Sequence, residues 1–313
     1  MTILIDPTGR HIHKLRLSLL DACSFRCIYC MPLNPQFMPM DKLIKREEIK
    51  RIATSLVDLG IDELRLTGGE PTIRPDFMSI MEDLSKLNIK KLSFTSNGLF
   101  SKELFPNLKK TKCNNINFSL DSLNAKIFQQ MTGSSKFKMV LENILMAIEF
   151  GFKVKINCVL MKGLNDHEIL DFVRFSGENL CEVRFLELMR IGPARNKFDQ
   201  YFISADEMIA KLEEFSNLEI VARAKDSTSF NYSLNNGGQI GIIASESKPF
   251  CGSCSRLRLS ATGELRPCLM IDKGISLVNK SQQEIETILH QTMALKPVDR
   301  IFEVNQPMNQ IGG

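Results

Sequence analysis

The sequence predicts an α/β protein, a partial barrel of six strand–helix units followed by a smaller α+β extension. Three observations carry this. Strand-like and helix-like segments alternate through the first two-thirds of the 313 residues, a pattern that gives a parallel sheet with right-handed crossovers. Several strands are polar along one face: Lys14, Arg16 and Ser18; Glu63, Arg65 and Thr67; Lys153, Lys155 and Asn157. Strands covered on both faces read as continuous apolar runs, so this polar face points to the solvated lumen of a partial (β/α)6 TIM-like barrel. The alternative places these residues at strand ends or on an exposed edge. Third, the alternation stops after Glu187 and the texture of the chain changes.

The elements follow in order. Residues 14–20 alternate polar and apolar and read as a strand. Residues 46–59 carry Ile49, Ile52, Ala53, Leu56 and Leu59 at helical spacing, and Gly60 ends that helix. Strands are expected at 63–66, 91–95, 115–120, 153–161 and 182–187, with helices at 77–87, 137–150 and 166–178. A helix at 203–215 follows, then a stretch at 230–238 rich in Asn, Ser and Gly, and a last helix at 282–293. The division of the chain is expected near residue 225, giving a barrel of residues 1–225 and a C-terminal part of residues 226–313.

Composition narrows the function. The 43% hydrophobic content supports a sizeable core, and no apolar run approaches the roughly 18 residues of a membrane span. The N-terminus lacks a basic start followed by an apolar run, so a cytoplasmic protein is expected. A net charge of +4 suits an anionic small molecule better than bulk nucleic acid. No Trp and only three Tyr argue against base-stacking platforms for single strands. Nine cysteines without a secretion signal read as metal ligands before disulfides.

Cys23, Cys27 and Cys30 form C-x3-C-x2-C directly after the first strand, the site-bearing end of a β/α barrel. Three thiolates from one loop can hold three irons of a four-iron cluster and leave the fourth open to a small molecule. A closed zinc site would need a fourth ligand, and none is near. With Tyr29 before the last cysteine, this motif resembles the signature of the radical S-adenosylmethionine (SAM) superfamily. Thr67-Gly68-Gly69-Glu70-Pro71, directly after the second strand, matches that superfamily's GGEP motif.

A second group, Cys251, Cys254 and Cys268, spells C-x2-C-x13-C. Again three ligands are visible, which makes the C-terminal part an α+β iron–sulfur extension. A zinc site completed by His290 is the competing reading, at a spacing far outside the usual range. Arg256 and Arg258 lie beside this group and offer forked donors suited to phosphate or a purine edge.

Together with Ser119-Leu120-Asp121, the Arg256-Leu257-Arg258-Leu259 run, Arg266-Pro267-Cys268 and the terminal Gly312-Gly313, these motifs resemble the GTP 3′,8-cyclase family of molybdenum cofactor biosynthesis over nearly the whole chain. The resemblance implies two [4Fe-4S] clusters, on Cys23, Cys27 and Cys30 and on Cys251, Cys254 and Cys268. It implies SAM contacts at Tyr29, Gly69, Ser119 and Met189. GTP contacts are implied at Arg16, Arg65, Ser96, Lys155, Arg256, Leu257 and Arg258, with Gly312 and Gly313 reaching into the site. Cys23, Cys27, Cys30, Arg258, Gly312 and Gly313 are then the catalytic set. The implied reaction starts from a 5′-deoxyadenosyl radical that takes the 3′ hydrogen of the GTP ribose. The ribose radical adds to guanine carbon 8 and yields 3′,8-cyclo-7,8-dihydro-GTP.

The implied partners are GTP as substrate, a reductase as electron donor, and a downstream cyclic pyranopterin monophosphate synthase, with a homodimer as the expected assembly and no nucleic acid or membrane. Ser24, Ser96 and Ser255 depart from the family's usual Asn, Thr and Asn and put the details of substrate hydrogen bonding in question. Cys113, Cys158 and Cys181 are expected in the core. Two other readings are a peptide-modifying radical SAM enzyme with an auxiliary cluster, for which three C-terminal cysteines are few, and a zinc-based nucleic-acid-binding module.

Overall fold

The structure is a computed structural model and describes residues 3–32, 34–214, 218–235, 237–301, 304 and 306–311. Six parallel strands form its centre: β1 (Lys14–Ser18), β2 (Glu63–Thr67), β3 (Lys91–Ser96), β4 (Cys113–Ser119), β5 (Lys153–Val159) and β6 (Glu182–Leu186). They pair in chain order, and the sheet does not close. Instead it is extended at both ends. Strands β7 (Glu219–Val221), β8 (Phe230–Ser233) and β9 (Gln239–Ile243) lie beyond β6, with β9 parallel to it. Strands β10 (Arg256–Leu259), β11 (Glu264–Arg266) and β12 (Ile275–Ser276) lie beyond β1, with β10 parallel to it. The C-terminal part therefore caps both open edges of the partial barrel, and the expected division near residue 225 falls between two strands that pair with each other, β7 and β8.

The alternation read from the sequence sorts the two faces of each strand. Leu15, Leu17, Leu64 and Leu66 are buried under the helices. Helix α1 (Arg46–Asp58) buries Ile49, Ile52, Ala53, Leu56 and Val57 along one stripe, and Gly60 takes a φ of 125° just beyond it. The outer layer continues with α2 (Phe77–Ser85), α3 (Leu104–Leu108), α4 (Ala125–Thr132), α5 (Phe137–Glu149) and α6 (Ile169–Asn179). Helices α7 (Phe198–Tyr201), α8 (Ala205–Glu213), α9 (Gln282–Ala294) and α10 (Met308–Ile311) complete the described elements. Ser281 opens α9 with a reciprocal cap: its hydroxyl accepts from the Glu284 N–H, and Glu284 accepts from the Ser281 N–H, satisfying two donors that a helix start leaves free.

Some expectations need adjustment. The Asn- and Ser-rich stretch at 230–238 contains strand β8, and α3 and α4 were not anticipated. Helix α3 has only five residues and contains Pro106, too little for a periodic signal. Lys153 is exposed at the start of β5 and does not line the lumen, so for that residue the strand-end alternative holds. Cys113, Cys158 and Cys181 are buried, as expected.

Candidate active site

The polar strand faces enclose a cavity of about 550 Å³ at the centre of the sheet. Arg16, Arg65, Lys155 and Arg256 reach it, as do Cys23, Cys27, Cys30, Tyr29, Gly69, Ser96 and Ser119. Most of the residues expected in one site are thus brought together from six strands and two loops. Leu257 is fully buried on the opposite, apolar face of β10. Met189 packs against the cluster of Ile191, Met270, Val304 and Ile311, outside the cavity lining. Arg258 is buried beside the cavity wall. Gly312 and Gly313 lie outside the described residues.

Sheet register explains the charge of the wall. Arg266 of β11 stands opposite Arg258 of β10, Arg258 opposite Arg16 of β1, and Arg16 opposite Arg65 of β2. Four arginines therefore occupy one row, on one face of neighbouring strands. Burial holds Arg16 well below its ordinary pKa, and Arg258, Arg256 and Arg65 lower it further. Burial brings Arg65 down to about 10, helped by Arg184 and Arg256, and Arg258 likewise to about 10, helped by Arg256. Such a row of guanidinium groups is a preformed site for a polyanion.

The C-x3-C-x2-C loop is fixed by the second strand's loop. The Gly69 N–H donates to the Leu20 carbonyl at 2.7 Å and the Glu70 N–H to the Ala22 carbonyl at 2.8 Å. A Cβ on Gly69 would lie 2.1 Å from the Ala22 oxygen, and one on Gly68, at φ 149°, 2.5 Å from the Leu20 oxygen. Both glycines are required because backbone packs on backbone here. Glu70 is buried, which raises its pKa. Its carboxylate accepts from the Thr72 N–H and hydroxyl, the Ser96 hydroxyl at 2.9 Å and the Asn97 N–H at 2.6 Å.

Ser24, Ser96 and Ser255 are each engaged within the protein. Ser96 donates to Glu70 and accepts from the Gly98 N–H. Ser24 accepts from Asn97 Nδ2 at 2.9 Å. Ser255 donates to Asp226 at 2.6 Å. Tyr29 donates to Asp121 at 2.7 Å, and Asp121 also accepts from the Val159 N–H; burial still pushes Asp121 up to about 6.

Both cysteine triads fit iron–sulfur clusters by donor chemistry. All six thiols are free and partly buried. Cys27 lies within electrostatic reach of Cys23 and Cys30, and Cys251 of Cys254 and Cys268. Burial pushes the Cys30 thiol up to about 12, with Cys23 adding to it. The second group differs: burial alone would raise Cys254, but Arg256 and Lys296 outweigh it and bring it down to about 6. The first triad lines the cavity, and Cys254 stands near Arg16, Arg256 and Arg258.

Some site residues were not identified from the sequence. Arg184 lines the cavity from β6, and its place between Glu182 and Leu186 carries the same two-residue period that revealed Arg16 and Arg65. The segment 222–228 also lines the cavity through Arg223 and Asp226. Asp226 ties it to the far end of the sheet, accepting from Lys14 Nζ at 2.6 Å, contacting His13 Nε2 at 2.9 Å and accepting from Ser255. Lys14, Ser255 and His13 hold its carboxyl well below the usual range against the opposing effect of burial. No local pattern marks such a contact across the sheet.

Comparison with known proteins matches this architecture. Residues 17–176 match the model of the radical SAM superfamily and residues 181–301 that of the molybdenum cofactor synthesis C-terminal domain. A GTP 3′,8-cyclase of Synechocystis sp. is 43% identical over 310 residues, covering 99% of this chain and 95% of the relative. The chain belongs to the GTP 3′,8-cyclase family. A second family member, from Aquifex aeolicus, is 40% identical over 287 residues, covering 90% of this chain and 89% of its own. Among solved structures, anSMEcpe with bound AdoMet superposes with a TM-score of 0.64 at 16% identity, covering 91% of this chain and 83% of its own. Streptococcus suis SuiB bound to its precursor peptide gives 0.61 at 17% identity, covering 95% and 66%. At that identity the likeness is one of fold, and the peptide-modifying alternative gains nothing from it.

Proposed function

We propose that the arginine-lined cavity holds GTP between two clusters, with Cys23, Cys27 and Cys30 as ligands of the first and Cys251, Cys254 and Cys268 as ligands of the second. The protein is a GTP 3′,8-cyclase that uses SAM and two [4Fe-4S] clusters in molybdenum cofactor biosynthesis. One observation carries the assignment of residues: a single row of arginines crosses β2, β1, β10 and β11, with one triad of free cysteines on the loop after β1 and the other in the segments flanking β10 and β11. When bound, SAM on the first cluster supplies the 5′-deoxyadenosyl radical that takes the ribose 3′ hydrogen of GTP.

The chain's own residues bind, orient and enclose. Arg16, Arg65, Arg256 and Lys155 compensate the charge of the triphosphate, and Arg258 does so from the second-cluster side. Tyr29, Gly69, Ser119 and Met189 are the SAM contacts; the Leu257 backbone contacts GTP, and Ser96 serves the GTP side through its bond to Glu70. Gly312 and Gly313 complete the catalytic set. Such orientation can supply several kcal/mol of barrier lowering, about 7–11 kcal/mol at its limit. The barrel of residues 1–225 carries the first cluster and residues 226–313 the second. A reductase supplies electrons, cyclic pyranopterin monophosphate synthase takes the product, and the working form is a homodimer in the cytoplasm. Among the described residues no helix is long and apolar enough to cross a membrane.

The test replaces Cys251, Cys254 and Cys268 together by Ser. The expected variant keeps the first cluster's iron, cleaves SAM slowly and loses GTP affinity. A variant with unchanged GTP affinity overturns the placement of GTP.

A further inference from the structure

Lys296 occupies a place where an ammonium needs a nearby anion. The residue is 5% exposed. The ion pairs nearby in sequence are Lys280–Glu284 and Arg300–Glu246, and among the described residues no carboxylate pairs with Lys296. An ammonium removed from water is tolerated only when its donors are satisfied and its charge is met.

Backbone carbonyls take up its donors. An ammonium has three N–H bonds, and two backbone carbonyls accept from this one: Arg256 at 2.7 Å and Pro267 at 2.9 Å. These acceptors belong to the two separate segments that supply the second cysteine group. Cys254 and Arg256 lie on the C-x2-C turn and its exit, and Pro267 immediately precedes Cys268. One side chain therefore joins all of the chain that carries the group.

The lysine is itself held from behind. Arg10, paired with Asp6 at 2.6 Å, donates to the carbonyls of Cys251 at 3.0 Å, Pro297 at 2.7 Å and Lys296 at 3.0 Å. The N-terminal segment thus clamps the first cysteine of the group to the backbone of the lysine. The charge lies beside sulfur: the two carbonyls that hold the ammonium belong to the residue two positions after Cys254 and the residue just before Cys268.

We propose that Lys296 is a positioning residue of the second cluster, holding its three cysteines in one arrangement and raising its reduction potential as a fixed cation between the segments that carry Cys254 and Cys268. A fixed positive charge near a cluster favours its more negative, reduced state. This inference rests on the reading that Cys251, Cys254 and Cys268 hold a cluster.

The test uses the full chain, reconstituted anaerobically with iron and sulfide, as wild type, Lys296→Met and Lys296→Arg. Iron is counted, and each cluster is titrated potentiometrically with its EPR signal as readout. Wild type with about four irons per chain instead of about eight overturns the two-cluster reading itself. With about eight, Lys296→Met lowers the midpoint of the second cluster by about 59 mV, a tenfold shift of a one-electron equilibrium, or sheds that cluster's iron. The first cluster's signal is unchanged, and Lys296→Arg restores the second. Unchanged midpoint and iron content in Lys296→Met overturn the proposal. Equal damage in Lys296→Met and Lys296→Arg also overturns it, because the position would then matter for shape and not for charge.

Discussion

Gly69→Ala tests how the first cysteine loop is held. The added methyl would lie 2.1 Å from the Ala22 oxygen and 2.5 Å from the Asp21 oxygen. Neither atom is the end of a flexible side chain, so the two loops must separate by about 1 Å to reach ordinary van der Waals distance. Two backbone hydrogen bonds, Gly69 to Leu20 and Glu70 to Ala22, lie across that separation. Their loss costs about 2 kcal/mol together, and the overpacking adds about 1–3 kcal/mol. Urea unfolding of the apoprotein should therefore show a loss of roughly 3–5 kcal/mol. The reconstituted variant should also cleave SAM about a hundredfold more slowly, because a shift of that size misplaces the reacting groups. A variant within about 0.5 kcal/mol of wild type, the ordinary range of a neutral surface change, with full iron content would refute the backbone-packing account of these glycines.

Three further outcomes follow from the charges. Arg16→Gln removes one member of the arginine row, so the apoprotein should melt about 2 °C higher, while calorimetry should show GTP affinity at least about tenfold weaker. Asp121, raised by burial from its ordinary 3.8 to about 6, stabilises the apoprotein most when protonated. Its contribution is full below pH 3.8 and is lost as pH rises through about 6. Asp121→Asn should therefore remove about 3 kcal/mol of pH dependence between pH 4 and 7, at about 1.4 kcal/mol per pH unit, checked by urea unfolding at each pH. Asp226→Asn weakens the tie between residues 222–228 and β1; the KM for GTP should rise several-fold with little change in GTP-independent SAM cleavage, and limited proteolysis should cut that segment faster.

The six central strands and their polar face could be read from period-two alternation, because Leu15, Leu17, Leu64 and Leu66 must be covered while Arg16 and Arg65 must not. The cysteine triads were visible because ligand spacing is local. Arg184 on β6 follows the same period-two pattern and lines the same cavity. Strands β7 to β12 are not legible, since five of the six have four residues or fewer and several are flanked by polar turns. The Asp226 and Lys296 contacts depend on segments brought together across the sheet: Asp226 meets His13 across 213 positions, and Lys296 meets Arg256 across 40. Glu70 stood in a visible motif, yet its work of joining β2 to the end of β3 appears only in the folded chain.

The most direct test of the central claim supplies the anaerobically reconstituted protein with SAM, dithionite and GTP deuterated at the ribose 3′ carbon, with ATP, CTP and UTP in parallel. Deuterium should appear in 5′-deoxyadenosine with GTP alone, together with a cyclised nucleotide product. 5′-Deoxyadenosine that forms without deuterium, at the same rate with every nucleotide, would contradict the assignment of this arginine-lined cavity to GTP.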